Sequence, residues 1–235
     1  MAGMIVFHGD DLEELVPIKI DDIRPSPITM TPVTRQRPIQ PGMEFVRMQE
    51  VERTVTVTFA LLDMDRDARY QALQKITEWA RIGEIASLSL PMMPGFHLNV
   101  ACTGLPEPSY RMWWESKLRL TFKTFDDPFW ISDNEESVNC KQDMTIGGTA
   151  PPLMRIERTL TAPAANQGYS DGEGDLMFTQ IPAGTLEIDL NKQLSTVSGT
   201  SIAQYLTPTS TYIIPRTGTY RINGVGRVVY RERWV

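Results

Sequence analysis

The strongest constraint on this chain is a period-two alternation that returns along its length. Val51, Arg53, Val55, Val57, Phe59 and Leu61 fall on one side of an extended backbone, and Glu52, Thr54, Thr56, Thr58 and Ala60 on the other. Leu118, Leu120 and Phe122 alternate with Lys117, Arg119, Thr121 and Lys123, and Leu186, Ile188 and Leu190 with Glu187, Asp189 and Asn191. Near the end, Val228, Tyr230 and Trp234 point one way while Arg227, Val229, Arg231 and Arg233 point the other. Strands with one apolar and one wet face belong to antiparallel sheets that cover a core on one side only. The fold class that follows is mainly β, of the sandwich type. The 17 Pro and 16 Gly among 235 residues supply turns and keep helices few.

One helix is predicted, from about Arg66 to Ile82. Ala72, Leu73, Ile76, Trp79 and Ala80 make a single apolar stripe. Asp65 is placed to cap its start, Asp67 suits the positive end of its dipole, and Gly83 is placed to end it. Composition shifts after Asp126-Asp127-Pro128-Phe129-Trp130, where a polar run from Ser132 to Ser137 leads to Gly147-Gly148 and Pro151-Pro152. That shift puts a domain boundary near residue 131, with an N-terminal domain over 1–131 and a C-terminal one over 132–235.

Two segments fit a compact core poorly. Arg24 to Met48 interleaves Pro25, Pro27, Pro32, Pro38 and Pro41 with Arg24, Arg35, Arg37 and Arg47, too Pro-rich for a central strand. It reads as a surface loop or as an arm ordered by a neighbouring subunit. Ile85 to Pro106 carries no Lys, Arg, Asp or Glu. Pro91, Pro94, Gly95, Gly104 and Pro106 break it too often for a membrane-spanning helix. It reads either as a strand pair inside its own sandwich or as a hairpin covered by a partner. With no signal-peptide pattern in Met1–Asp11, the sequence reads as that of a soluble protein.

No constellation of catalytic residues emerges. Asp63, Asp65 and Asp67 start like a calcium loop, but Ala68 stands where the turn needs Gly and Gln74 where a bidentate Glu belongs. Ser170 to Asp175 reads as a solvated hairpin turn. His8, His97, Cys102 and Cys140 lack zinc-type spacing, and the two cysteines read as buried thiols or one bridge. Gly224-Val225-Gly226 lacks the third glycine and following helix of a nucleotide loop, and no Gly-x-Ser-x-Gly or phosphate loop is present. The expectation is no enzyme, no cofactor and no metal. Trp113, Trp114, Trp130, Tyr205, Tyr212 and Trp234 leave a sugar-stacking face open as a minority reading.

Charge speaks to partners instead. The chain carries 23 Lys+Arg against 29 Asp+Glu, the wrong balance for gripping a nucleic-acid backbone. Asp10, Asp11, Glu13, Glu14, Asp21 and Asp22 face only Lys19 in their stretch, whereas the arm and the last strands are basic. Acidic and basic regions on one chain suit head-to-tail docking of identical subunits.

Several short patterns, in their order and spacing, resemble the distal tail proteins of long-tailed, non-contractile bacteriophages. They are Phe7-His8-Gly9-Asp10, the Arg-rich segment through Pro41-Gly42 to Phe45 leading into Val51–Leu61, and the helix after it. Further on come Leu118–Phe125 with Asp127-Pro128-Phe129, then Gly184–Asp189, and finally Val228–Trp234. The resemblance spans nearly the whole chain. It implies an N-terminal β-sandwich with one flanking helix and an extended arm or hairpin, followed by a C-terminal galectin-like β-sandwich. It further implies a homohexameric ring built by the N-terminal domains at the distal end of the tail tube. Such a ring joins the tube protein to the tail-tip hub and receptor-binding proteins, and passes the tape measure and then DNA through its channel. The setting implied is the virion, with synthesis in the host cytoplasm and no membrane partner. At this length there is no room for the inserted carbohydrate-binding modules of larger members. The expected interface residues are Arg35, Arg37, Phe45 and Arg47 on the arm and Met92, Met93 and Phe96 on the uncharged hairpin. The alternative from another class is a carbohydrate-binding β-sandwich module. A jelly-roll hydrolase is a third, for which no acid pair or metal site is found.

Overall fold

The computed structural model describes residues 4–36, 43–62, 65–105, 117–125 and 127–235. The chain divides into two compact units, Met1–Trp130 and Ile131–Val235. In the first, the strands are Val6–Phe7 (β1), Asp10–Asp11 (β2), Ile18–Pro25 (β3), Thr29–Gln36 (β4), Met43–Glu52 (β5), Thr54–Leu61 (β6), Ala86–Ser89 (β7), Phe96–Gly104 (β8) and Leu118–Thr124 (β9). The helices are Leu12–Leu15 (α1) and Arg66–Ala80 (α2). Antiparallel ladders set the order β2-β1-β7-β8-β9-β6-β3. The alternation is realised in β6 and β9, where Val55, Val57, Phe59, Leu118, Leu120 and Phe122 are all buried.

Helix α2 buries Ala72, Ile76, Trp79 and Ala80. Its Trp79 ring meets Phe7 edge-on at 5.6 Å and Phe122 at 6.1 Å, and its indole N–H donates to the Asp10 carbonyl at 2.9 Å. The Asp65 carboxylate accepts from the Ala68 N–H at 2.8 Å, as a cap should. The end differs from expectation. Arg81 takes the left-handed conformation at φ 39°, so the helix stops two residues early and Ile82 is left exposed.

The uncharged segment is a hairpin of the core sheet. Leu88, Leu90, Leu98, Val100, Ala101 and Cys102 are buried in its own unit, while Ile85 and the tip are open. In the Pro-rich segment the described strands β4 and β5 pair with each other in a separate two-stranded ribbon, where a surface loop was one expectation. Pro32 is tolerated there because a ribbon with open edges needs no N–H donor at that position.

After Trp130–Ser132 (β10), the second unit contains Glu136–Asn139 (β11), Met144–Ile146 (β12), Ala150–Leu160 (β13), Ala164–Ser170 (β14) and Asp175–Ile181 (β15). Gly184–Asp189 (β16), Leu194–Val197 (β17), Thr200–Ser201 (β18), Gly218–Tyr220 (β19) and Arg227–Trp234 (β20) complete it. One sheet runs β18-β17-β16-β13-β20-β11, and the β14–β15 and β12–β19 pairs supply the opposing layer. Met154, Ile156, Leu176, Phe178, Leu186, Ile188, Val228 and Tyr230 fill the space between, with the Tyr169 hydroxyl donating to the Val225 carbonyl at 2.9 Å. Pro151-Pro152 cannot complete a ladder, and β13 shifts register between Ala150 and Leu153. The Asn191 side chain fills the gap, accepting from Met154 N–H at 2.7 Å and donating to Pro152 O at 2.9 Å. Gly224 is required by packing, since its φ is +154° and a Cβ there would run into the Tyr169 ring.

Val229 departs from the alternation. Predicted on the wet side of β20, it is 2% exposed. Its ladder partners are Arg155 and Ser137, and on that side of the strand Arg155 and Arg231 both pair with Glu135. Long paired side chains cover an apolar neighbour with their stems. Cys102 and Cys140 are free thiols.

Candidate functional site

The expected interface residues fall on two elements. Arg35 lies in β4 opposite Glu44, and in β5 Phe45 lies opposite Thr34 and Arg47 opposite Val33. Arg37 lies outside the described residues. Val46, at a break in this register, is 55% exposed, and Met30 is 47% exposed. Met92 is open at the tip of the β7–β8 hairpin, with Met93 and Phe96 half-buried beside it. No single ladder brings the two groups together: β4 and β5 pair with each other, while β8 joins β7 and β9.

The ribbon is anchored at its foot. Ser26 and Thr54 exchange two bonds, the Ser26 N–H donating to Thr54 O at 2.7 Å and the Ser26 hydroxyl accepting from Thr54 N–H at 2.9 Å. Arg53 N–H donates to the Thr124 hydroxyl at 2.8 Å, and Thr124 N–H returns a bond to Arg53 O at 3.0 Å. Glu52 pairs with Lys123 at 3.3 Å. The Arg53 side chain is 4% exposed, with its guanidinium 5.7 Å from the centre of the Trp130 ring. Its Nε and Nη1 are buried with no hydrogen-bond partner. Burial alone lowers its pKa. The alternation put Arg53 on the inward side of its strand, but its role was not foreseen.

The basic strands turn out to be largely neutralised at home. Arg227 binds Glu157 at 2.6 Å, and Arg155 joins Glu157 at 2.7 Å to Glu135 at 3.0 Å. The Arg155 guanidinium holds both carboxyls below the usual range. In the acidic stretch, Asp10 pairs with Arg81 at 3.4 Å, Asp21 with Lys117 at 3.5 Å, and Asp22 with Arg24. Head-to-tail attraction therefore cannot rest on the bulk charge of these segments.

The turn over Ser170 to Asp175 is more than a solvated hairpin turn. The Asp171 side chain is fully buried, accepting from the Glu173 and Gly174 N–H groups at 3.1 and 2.8 Å and from Arg216 at 2.5 Å. Arg216 in turn stacks over the Tyr220 ring at 4.5 Å, whose phenol is pushed up to about 12 mainly by burial. This carboxylate is fully spoken for as a structural lock.

Among the described residues no cluster of His, Cys, Asp or Glu is arranged to hold a metal ion. Asp63 lies outside the described residues, and Asp65 is a helix cap. For sugar stacking, Trp113 and Trp114 lie outside the described residues. Trp130 is buried, and Tyr205 and Tyr212 pack against the sandwich core. No described helix is long and apolar enough to cross a membrane, which says nothing of strand-built membrane proteins.

No family profile and no curated protein matches the chain. Solved structures do. The Dit (gp 19.1) protein of phage SPP1, described as a paradigm of hub adsorption apparatus in Gram-positive infecting phages, aligns at a TM-score of 0.75 and 15% identity, covering 100% of both chains. A chain of the phage P2 baseplate in its activated conformation with Ca aligns at a TM-score of 0.50 and 10% identity, covering 100% of this chain and 99% of the other. From end to end, both units included, the chain has the fold of the SPP1 Dit protein.

Proposed function

We propose that the protein is a structural adaptor of a bacteriophage tail. Six copies form a ring at the distal end of the tail tube and join it to the tail-tip hub and receptor-binding proteins. The tape measure and then DNA pass through the channel. The observation that carries this reading is the full-length match to the SPP1 Dit fold in both units. The ribbon β4–β5 fits the ring role physically. Among the described residues it is paired only with itself, and open strand edges accept strands from a neighbour.

In this reading the first unit builds the ring through the arm residues Arg35, Arg37, Phe45 and Arg47 and the tip residues Met92, Met93 and Phe96. The second unit, the galectin-like sandwich, lies outside the ring and meets tail-tip partners. An acidic chain suits a passage for DNA, because a non-basic lumen does not hold phosphates. The protein works within the virion and acts through binding rather than catalysis. Electron microscopy of the purified full chain tests this, with six-fold rings bearing a central hole expected. Isolated single particles of one chain, with or without tube protein added, contradict it.

A further inference from the structure

Arg53 stands out as a buried cation whose guanidinium leaves two nitrogens without a hydrogen-bond partner. An arginine stripped of water needs a carboxylate or several acceptors, and burying the cation without them is strongly unfavourable. Among the described residues Arg53 has no ion pair, and the acid next to it in sequence, Glu52, is engaged by Lys123. The Trp130 ring offers only a weak substitute. At the other end of strand β6 the problem is reversed. Leu62 N–H donates to Pro17 O at 3.0 Å, which sets α1 with Glu13 and Glu14 beside that end. Neither glutamate has an ion pair among the described residues. Burial raises the Glu13 pKa, and the Asp11 carboxylate adds to it. Arg53 and Leu62 are separated by roughly 30 Å of extended chain at about 3.3 Å per residue, so one subunit cannot pair the two groups itself. Complementary groups at opposite ends of one sheet are what a head-to-tail contact between copies uses.

We propose that Arg53 is an anion socket at the foot of the arm, filled on assembly by a carboxylate of the Glu13–Glu14 turn of a second copy of this chain. Among the described residues β4 and β5 pair only with each other, so a shift of the arm to admit that carboxylate breaks no ladder of the core sheet. The inference rests on the ring reading above.

The test compares four full-length proteins: wild type, Arg53→Met, Glu13→Gln with Glu14→Gln, and all three substitutions together. Light scattering over a concentration series reads assembly, and thermal melting of dilute protein reads the subunit. Arg53→Met should weaken assembly by roughly 30-fold or more while melting no lower than wild type. The glutamate pair should weaken assembly comparably, and the combined variant no further, as partners in one contact do. If Arg53→Met melts lower, the guanidinium is paired within its own subunit and the socket is refuted. Losses that multiply in the combined variant refute the Glu13–Glu14 assignment. A wild type that stays monomeric at every concentration overturns the ring reading and the socket's occupant with it. That failure is recognisable because all four proteins then share one mass.

Discussion

Asp171 and Arg53 are buried charges with opposite fates. Asp171 is fully satisfied by two backbone N–H groups and Arg216, so removing the arginine strands a carboxylate that cannot reach water. Arg216→Ala is predicted to destabilise the second unit by about 3–5 kcal/mol, seen as a lower urea midpoint. Arg216→Lys should recover part of the loss, since it restores charge but not the stack on Tyr220. The run Ser170 to Asp175 looked like an ordinary solvated turn because its partner lies 45 residues away. No local pattern reveals such a contact. Gly174 is equally opaque in sequence: a Cβ there would sit 2.8 Å from the Ile213 Cα and the Tyr212 carbonyl. Gly174→Ala should therefore lower the melting temperature of the second unit, and an unchanged melt would show that this loop relaxes freely.

Strands and helix were legible because their patterns are local. Val55, Val57 and Phe59, and Leu186 and Ile188, are buried as the alternation requires. Asp65 caps α2, and Asp65→Ala should cost about 1 kcal/mol in the first unit's stability. The helix end was misplaced because Arg81 adopts the left-handed turn that Gly83 seemed to reserve. Val229 is buried on the charged side of β20 because Arg155 and Arg231, both paired with Glu135, flank it. Those pairs make a pH prediction. Glu135 and Glu157 are held below the usual carboxylate range chiefly by hydrogen bonds from Arg155. Their contribution is therefore present in full above about pH 4.5 and lost as pH falls through the lowered values. The melting temperature of the second unit should drop below that pH, and Arg155→Met should flatten the drop. The arm is an element whose role its local pattern leaves open, because among the described residues its strands pair only with each other. Arg35→Ala with Arg37→Ala should weaken assembly and leave melting unchanged. If assembly is unaffected, these two residues do not form the interface.

Each of the two units has its own core, and the end-to-end likeness to the SPP1 Dit fold is carried by both together. The order of short motifs along the sequence pointed to this architecture even though each motif alone is common. Assembly lies beyond what any single chain displays, since a ring is held by contacts that one subunit lacks. A ring of six copies shows itself first in its mass. Light scattering on a sizing column, across a concentration series, should give about 160 kDa, six times the 26.6 kDa chain. A mass that stays at 26.6 kDa at every concentration, with and without the tail tube protein, contradicts the account.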